Sequence, residues 1–249
     1  RSFIAIACPT MPKLILFTEP TKARQVLLTQ VETLVGRAPA CDIVIGQVAP
    51  FSGPQAVTGR AIHAGAKLYF DSINARGGVK GQRIKFVTRD DAQKPDETVR
   101  HTKEIIAQEA PVALLGTVGT TNLEALAADG VLAKTKVPMI GAVSGAATVA
   151  KASNVLVVKA SYHDEIDRLF SQLKQLGTTR VGVVFQDDGL GQGVITGANA
   201  AAQKHGITLL ARSGYPRNTT AVEKAVAEMV KVNPQVIFLG ATTAAAVQF

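Results

Sequence analysis

Residues 112–126 read V-A-L-L-G-T-V-G-T-T-N-L-E-A-L, and this segment gives the clearest indication of how the chain folds. Its first four residues form an apolar run between Pro111 and Gly116, with the length and composition of a strand buried on both faces. The next seven residues contain two glycines and three threonines, and they predict a loop at 116–122 that leads into a helix at 123–134. A strand followed by a loop and a helix is the building unit of a parallel α/β sheet.

The loop at 116–122 is a candidate binding site for a small anion. Glycine lets the backbone approach a ligand closely, and threonine hydroxyls can donate or accept hydrogen bonds. The free amides of a helix N-terminus point toward the same place. A carboxylate suits such a place best. The competing interpretation is structural: Thr121 or Asn122 serves as the N-cap of the helix, and Gly116 and Gly119 serve the turn.

The composition indicates a globular protein with one large domain or two ordinary ones. The 249 residues are 47% apolar, which is ample for a core. The formal net charge of +8 comes from scattered basic residues, without the aromatic-interleaved clusters typical of nucleic-acid binding. Cys8, Cys41 and the four histidines lack the spacing of a metal site, and the two cysteines do not indicate a disulfide framework. We therefore expect no nucleic acid, no metal and no cofactor.

Residues 1–40 differ from the rest of the chain. Pro9, Pro12 and Pro20 interrupt the apolar patches, so no apolar span approaches the length that crosses a membrane. The run A-P-A at 38–40 has the small-x-small pattern of a signal-peptidase site. We predict that this segment is an export-related or mis-extended leader outside the fold.

From residue 42 onward strands and helices alternate. Strands are predicted at 43–48, 84–89, 112–115, 137–140, 155–158, 181–185, 207–211 and 236–239. Helices are predicted at 58–74, 95–108, 123–134, 162–176, 194–205 and 221–232, with another starting at 241. This alternation predicts an α/β fold of parallel sheets covered by helices and joined by right-handed crossovers. We predict two sheets rather than one, with an N-terminal lobe at 41–160 and a C-terminal lobe at 161–249.

In open parallel sheets, small molecules bind outside the carboxyl ends of the strands. The predicted loops at those ends are rich in Gly, Ser and Thr. They lie at 51–53, 116–122 and 143–145 in the first lobe and at 187–193 in the second, where Tyr162 also begins a helix. None places a catalytic base beside a nucleophile, which favours holding a small polar molecule over transforming it.

Enzyme motifs are incomplete in this sequence. The residues after Gly46 read Q-V-A-P-F, so the dinucleotide motif G-x-G-x-x-G is absent at the end of the first strand. The run G-A-V-S-G at 141–145 only approximates the hydrolase motif G-x-S-x-G, because its first glycine is one place too far from the serine. The pairs Asp90-Asp91 and Asp187-Asp188 end strands, where an aspartate more often caps the next helix than acts as an acid. Asp187 and Asp188 are the better functional candidates.

Five runs carry a family resemblance. They are I-V-I-G-Q-V-A-P-F-S-G at 43–53, I-N-A-R-G-G-V-K-G-Q-R-I at 73–84, D-D-A-Q-K-P at 90–95, V-P-M-I at 137–140 and D-D-G-L-G-Q-G at 187–193. In order and spacing they resemble the periplasmic solute-binding proteins of ABC transporters, in the branch that includes the leucine/isoleucine/valine-binding proteins. Family members return to the first lobe after the second, so the resemblance implies that the chain is C-terminally truncated and its second lobe incomplete.

The resemblance implies the type I periplasmic binding fold, in which two Rossmann-like lobes close over a ligand about a hinge. The implied contacts in the first lobe are Thr120, Thr121 and the backbone of Val143, Ser144 and Gly145, with Ser52 on the same wall. The implied contacts in the second lobe are Tyr162, Asp187, Asp188 and Leu190. The resemblance further implies a periplasmic or extracytoplasmic monomer without enzymatic activity. It would deliver an amino acid or related acid or amide to the membrane permease of an ABC importer.

Two departures from the family pattern concern the ligand. Leu190 stands where aliphatic amino-acid binders have an aromatic residue, and near Arg217-Asn218 there is no acid to meet an α-ammonium group. An ammonium group in a closed pocket without a carboxylate is costly. Either Asp187 or Asp188 replaces the missing acid, or the ligand is a carboxylate or amide without an ammonium group.

Two other functions fit the same fold. A ligand-sensing domain of a receptor or regulator would need a helix-turn-helix before the first strand or a transmembrane span, and the sequence shows neither. An α/β enzyme would use Asp187 or Asp188 as its acid.

Overall fold

The computed structural model describes residues 42–249 in full and the backbone of residues 13–19 and 22–27. The two earlier segments are strands β1 (Lys13–Glu19) and β2 (Lys22–Leu27), which pair antiparallel. The rest of the predicted leader at 1–40 lies outside the described residues, as do Cys8 and Cys41. That the leader is export-related stays a prediction.

The first of the two larger sheets has five strands. They are β3 (Ile43–Ala49), β4 (Ile84–Asp90), β5 (Ala113–Leu115), β6 (Met139–Ala142) and β7 (Val155–Val157). Their order across the sheet is β4-β3-β5-β6-β7, so β5, the strand predicted within residues 112–126, is the central one. The pairs β3–β5, β5–β6 and β6–β7 are parallel, and Leu114 of β5 has no exposed surface.

The second sheet has three strands, β8 (Arg180–Asp187), β9 (Thr208–Pro216) and β10 (Val236–Gly240). Their order is β10-β8-β9, and both pairs are parallel. Val183 and Val184 are neighbours on β8, both without exposed surface, and they belong to separate core clusters. Because successive strand residues point to opposite faces, the second sheet is covered on both sides. Two parallel sheets confirm the predicted α/β fold class.

Helices connect the strands. They are α1 (Ala56–Ala75), α2 (Pro95–Glu109), α3 (Thr120–Asp129), α4 (Val131–Thr135), α5 (Ala147–Ala150), α6 (Tyr162–Gln175), α7 (Gly189–His205), α8 (Glu223–Val232) and α9 (Thr243–Gln248). In the part of the chain that the structure describes, no helix combines the length and apolar character needed to span a bilayer.

Helix α3, which the sequence predicts at 123–134, starts earlier than that. It begins at Thr120 rather than at 123, and its N-cap is Gly119, whose φ is 105°. The structural interpretation of Thr121 or Asn122 as the N-cap is therefore wrong: both lie in the first turn. The predicted single helix to 134 is also wrong, because Gly130, with φ of 75°, ends α3 and begins α4.

Helix α7 likewise starts five residues before the predicted position, at Gly189 rather than Val194. The reason is its cap. The Asp188 side chain accepts hydrogen bonds from Leu190 N at 3.0 Å and from Gly191 N at 3.4 Å. These bonds satisfy amides that otherwise lack partners at a helix start, and so they offset the poor helix propensity of the glycines.

By compactness the described residues form two units. The small unit contains the described residues up to 43, which are 13–19, 22–27 and 42–43, together with residues 68–85, and the large unit contains residues 44–67 and 86–249. In the small unit, Asn74 closes the turn after α1: its side chain donates to Ile84 O at 2.9 Å and accepts from Ile84 N at 2.7 Å. The residues of the candidate site all belong to the large unit. The predicted lobes at 41–160 and 161–249 stay a prediction.

Two glycines of α1 provide a test of this packing. A Cβ atom on the buried Gly59 would overlap the backbone carbonyl of Pro50, whereas a Cβ on Gly65 would meet no atom within 4 Å. We expect Gly59→Ala to lower the free energy of unfolding by about 1–3 kcal/mol, because the clash is with backbone atoms. The matched variant Gly65→Ala should raise it by roughly 0.5–1 kcal/mol, because alanine favours the helix. Urea denaturation measures both, and equal stabilities would contradict the described contact.

Candidate functional site

A cavity of ≈160 Å³ lies at the carboxyl ends of the strands of both sheets. The segments that follow strands of the first sheet contribute Gln55, Thr58, Gln93, Val118, Gly119, Thr120, Thr121 and Val143. The second half of the chain contributes Tyr162, Gln186, Asp188, Leu190, Arg217, Asn218 and Thr242. The location is the one that an open parallel sheet predicts for a ligand.

Six residues predicted as ligand contacts line this cavity. They are Thr120, Thr121, Val143, Tyr162, Asp188 and Leu190. Thr120 contacts two other hydroxyl groups: its Oγ1 lies 2.9 Å from Ser144 Oγ and 3.1 Å from Tyr162 OH. These hydroxyls come from α3, from the segment after β6 and from the start of α6, so the structure brings together residues that are far apart in sequence.

The other predicted contacts do not line the cavity. Ser52 is exposed, and its backbone amide donates to Asp90 Oδ1 at 3.3 Å. Asp187 is exposed and lines a separate depression beside Tyr215. Ser144 lies behind Thr120 with 1% of its surface exposed, and Gly145 O accepts from Tyr162 N at 2.9 Å. Ser144 and Gly145 therefore support the lining residues, whereas Ser52 and Asp187 are not brought to the site.

Asp188 connects several parts of the site through its carboxylate. One oxygen, Oδ1, accepts the two amides at the start of α7. The other, Oδ2, accepts from Gln186 Nε2 at 2.7 Å, from Arg217 Nε at 3.0 Å and from Thr121 Oγ1 at 3.4 Å. Thr121 Oγ1 in turn accepts from Gly189 N at 3.2 Å. The first turn of α3 and the start of α7 are thus joined at one carboxylate.

Arg217, from the segment after β9, makes the second connection. Its Nη2 donates to Gln93 O at 2.8 Å and to Asn122 Oδ1 at 2.7 Å. Its Nε donates to Asp188, and the side chain of that aspartate is only 8% exposed. A guanidinium with three well-placed acceptors is strongly oriented, because its donors have a fixed planar geometry.

A buried amide network lies behind Arg217. Gln93 Nε2 donates to Val118 O at 3.2 Å and to Asn122 Oδ1 at 3.1 Å. Asn122 Nδ2 donates to Thr98 Oγ1 at 2.7 Å, and Thr98 donates to Asp91 Oδ2 at 2.7 Å. Burial raises the pKa of the Asp91 carboxyl, against the Thr98 hydrogen bond, which lowers it. Gln93 Oε1 is buried and has no hydrogen-bond partner among the described residues.

Sequence reasoning missed Gln93, Asn122, Gln186 and Arg217 as site residues. A signal for three of them was present. Gln93 lies inside the D-D-A-Q-K-P run, Gln186 is the last residue but one of β8 and precedes the aspartate pair, and Arg217 lies where the family pattern places an acid. Their common feature is a polar residue at or just beyond the carboxyl end of a strand.

Metal binding is not indicated by the side chains that the structure describes. Within 42–249 no group of three or more His, Cys, Asp and Glu residues is arranged to hold a metal ion. The charged residues lining the cavity are Asp188 and Arg217, and they pair with each other. The site is therefore a polar, nearly neutral cavity with hydroxyl, amide and guanidinium donors.

Comparison with known proteins gives one family and related structures. The family profile described as periplasmic binding protein matches residues 42–249. A Leu/Ile/Val-binding protein homolog 7 from Brucella suis biovar 1 (strain 1330) is 25% identical over 222 residues, covering 85% of this chain and 55% of that protein. The chain thus spans about half the length of the curated relatives that it matches.

Two solved structures extend the comparison. A substrate-binding periplasmic protein from Ralstonia solanacearum is 45% identical with a TM-score of 0.81, over 83% of this chain and 59% of that chain. A possible leucine/isoleucine/valine-binding protein from Rhodopirellula baltica SH 1 is 25% identical with a TM-score of 0.79, over 84% of this chain and 58% of that chain.

The amide network predicts a stability difference between two asparagines. Asn122→Ala leaves the amide of Gln93 and the guanidinium of Arg217 short of an acceptor, so we expect the free energy of unfolding to fall by about 1–3 kcal/mol. Asn199 is exposed and, among the described side chains, accepts from Arg212 alone, so Asn199→Ala should change the free energy of unfolding by less than about 0.5 kcal/mol. Guanidinium denaturation followed by circular dichroism compares them. If Asn122→Ala lowers the free energy of unfolding no more than Asn199→Ala does, the network does not stabilise the fold.

Proposed function

Because the chain belongs to the periplasmic binding protein family over residues 42–249, we propose that it is an extracytoplasmic solute-binding protein of an ABC importer. The family membership itself confirms the resemblance that the sequence runs predicted. The proposed ligand is a small molecule with a carboxylate, an amino acid or a related acid or amide. The protein acts as a monomer that captures the ligand and delivers it to the membrane permease.

The cavity at the carboxyl ends of both sheets is the observation that supports this function. Thr120 and Thr121 form the first turn of α3 and line the cavity. The N-cap, Gly119, has no side chain to bond the amides of that turn, so they remain available to a guest. The positive end of a helix attracts a carboxylate, and Arg217, which donates to Asn122 in the same turn, adds guanidinium donors beside it.

The proposed capture is by hinge closure of two lobes. The cavity is lined by residues from both sheets, so one ligand would touch both lobes at once. A ligand shifts an open–closed equilibrium only by its differential contacts with the two states, and contacts with both lobes exist only in the closed state. The contact of Thr120 with Tyr162 would form part of that closed state.

Binding agrees better with the chemistry of the cavity than catalysis does. Asp187 is exposed outside the cavity, and the Asp188 carboxylate is occupied by hydrogen-bond donors. Neither is placed to accept a proton from a substrate. The name of the Brucella suis relative, a Leu/Ile/Val-binding protein homolog, supports a ligand of amino-acid size.

The proposed carboxylate site can be tested with the full-length protein and a double variant. Amino acids, aliphatic and aromatic carboxylates and amides are screened by thermal shift, and a ligand of the wild type raises the melting temperature with its concentration. We expect Thr120→Val combined with Thr121→Val to weaken that ligand at least about tenfold in calorimetry, because each lost hydrogen bond to a charged group is worth roughly 1.5–3 kcal/mol.

The control is Thr208→Ala, which removes an exposed threonine of β9 outside the cavity and should leave the affinity unchanged. Unchanged affinity in the double valine variant would reject the assigned carboxylate site. Mass spectrometry of the recovered ligand tests the binding role itself: we expect it unaltered, and conversion to a product would reject a pure binding function.

A further inference from the structure

We propose that this site selects carboxylates that carry no ammonium group, and that Asp188 and Arg217 determine that selectivity. The inference rests on the proposed function, because it names the class of ligand that the same cavity takes. It follows from the hydrogen-bond capacity of the two charged residues that line the cavity.

The carboxylate of Asp188 has no capacity left for an ammonium group. It accepts five donors: the amides of two residues in α7, the side-chain amide of Gln186, the hydroxyl of Thr121 and the guanidinium of Arg217. The two oxygens of a carboxylate offer about four lone-pair sites. An ammonium group could reach this carboxylate only by displacing Arg217 or by breaking the cap of α7.

Within residues 42–249 no second acid lines the cavity. Among the described residues that line it, Asp188 is the only aspartate and there is no glutamate. The remaining acceptors are neutral hydroxyl and amide oxygens, such as Gln93 Oε1, which lacks a partner among the described residues. Desolvating an ammonium group against neutral acceptors costs several kcal/mol, because no opposite charge offsets the loss of hydration.

Arg217 has the opposite property, since it keeps donors in reserve. A guanidinium carries five N–H donors. The structure uses three of them, one from Nε and two from Nη2, and gives the two N–H groups of Nη1 no partner among the described residues. A carboxylate could accept from Nη1 without breaking any existing bond. The cavity is therefore lined by a guanidinium with unused donors and, among the described residues, by no acid with unused capacity.

The cavity also limits the ligand to a small acid. Its volume of ≈160 Å³ is close to the roughly 150 Å³ of a cavity that takes up benzene in another protein. Val118, Val143, Leu190 and the ring of Tyr162 supply its apolar lining. These properties fit a short branched aliphatic acid or an acid with a single aromatic ring.

The test compares acids that differ only in the ammonium group. The full-length protein, freed of co-purified ligand by unfolding and refolding, is titrated calorimetrically with 4-methylpentanoate against leucine, 3-methylbutanoate against valine, and 3-phenylpropanoate against phenylalanine. We expect the member without the ammonium group to bind at least about tenfold more tightly in each pair that binds, because the amino acid must leave a charge unpaired.

Two variants at position 217 test the assigned residues. Arg217→Gln removes the reserve donors and releases the Asp188 carboxylate, so we expect the acid to bind about tenfold more weakly and the preference within each pair to shrink or reverse. Arg217→Lys keeps a positive charge and should keep the preference for the acid. Melting temperatures without ligand confirm that both variants are folded.

The outcomes separate this inference from the proposed function. If the amino acid binds as tightly as its partner or more tightly, the selectivity is refuted and the binding function stands. If no member of any pair binds, both the selectivity and the proposed binding function are refuted for ligands of this size. A preference that is unchanged in Arg217→Gln would refute the role of Asp188 and Arg217.

Discussion

The site depends on the carboxylate of Asp188 more than on any other group. One of its oxygens fixes where α7 begins, and the other orients Arg217 and holds the hydroxyl of Thr121. At 8% exposure its hydrogen bonds are little weakened by competing water. Because charge-assisted hydrogen bonds are about twice as strong as neutral ones, this single group fixes the geometry of the second sheet's loops relative to α3.

The parallel arrangement of the strands makes such a convergence possible. In both sheets the carboxyl ends of the strands lie at one edge, so Gln93, Val118, Gln186 and Arg217 reach the same cavity from distant parts of the chain. The strand β5 is central in the first sheet, which brings the start of α3 to the middle of that edge. The polar chemistry of the site therefore follows from the topology as well as from the residue types.

The fold could be predicted from the sequence because its signals are local. The apolar run around Leu114 and the regular alternation of strands and helices are properties of short windows, and they indicated the two parallel sheets. The start of α7 could not be predicted in the same way. Its glycines favour a loop, and the Asp188 cap that overrides them depends on where the preceding strand ends.

The candidate site was predictable only in part. Thr120 and Thr121 begin the helix that follows β5 after a loop of four residues, so a local rule finds them. Arg217 bonds to Gln93, which lies 124 positions away, and no local pattern encodes that contact. Ser52 and Asp187 belong to the expected loops but are exposed outside the cavity, since a rule that selects a loop does not specify which of its side chains face inward.

The start of α3 has no side-chain cap, and this affects how the binding of an anion there would depend on salt. The net charge of +8 comes from residues scattered along the sequence, and the attraction of exposed charges is screened beyond about 8 Å at physiological ionic strength. The peptide dipoles of α3 act within its first turn, where Thr120 is buried, so dissolved ions screen them less than they screen exposed charges. Added salt would therefore lower the association rate of a negatively charged ligand far more than it would raise its dissociation rate.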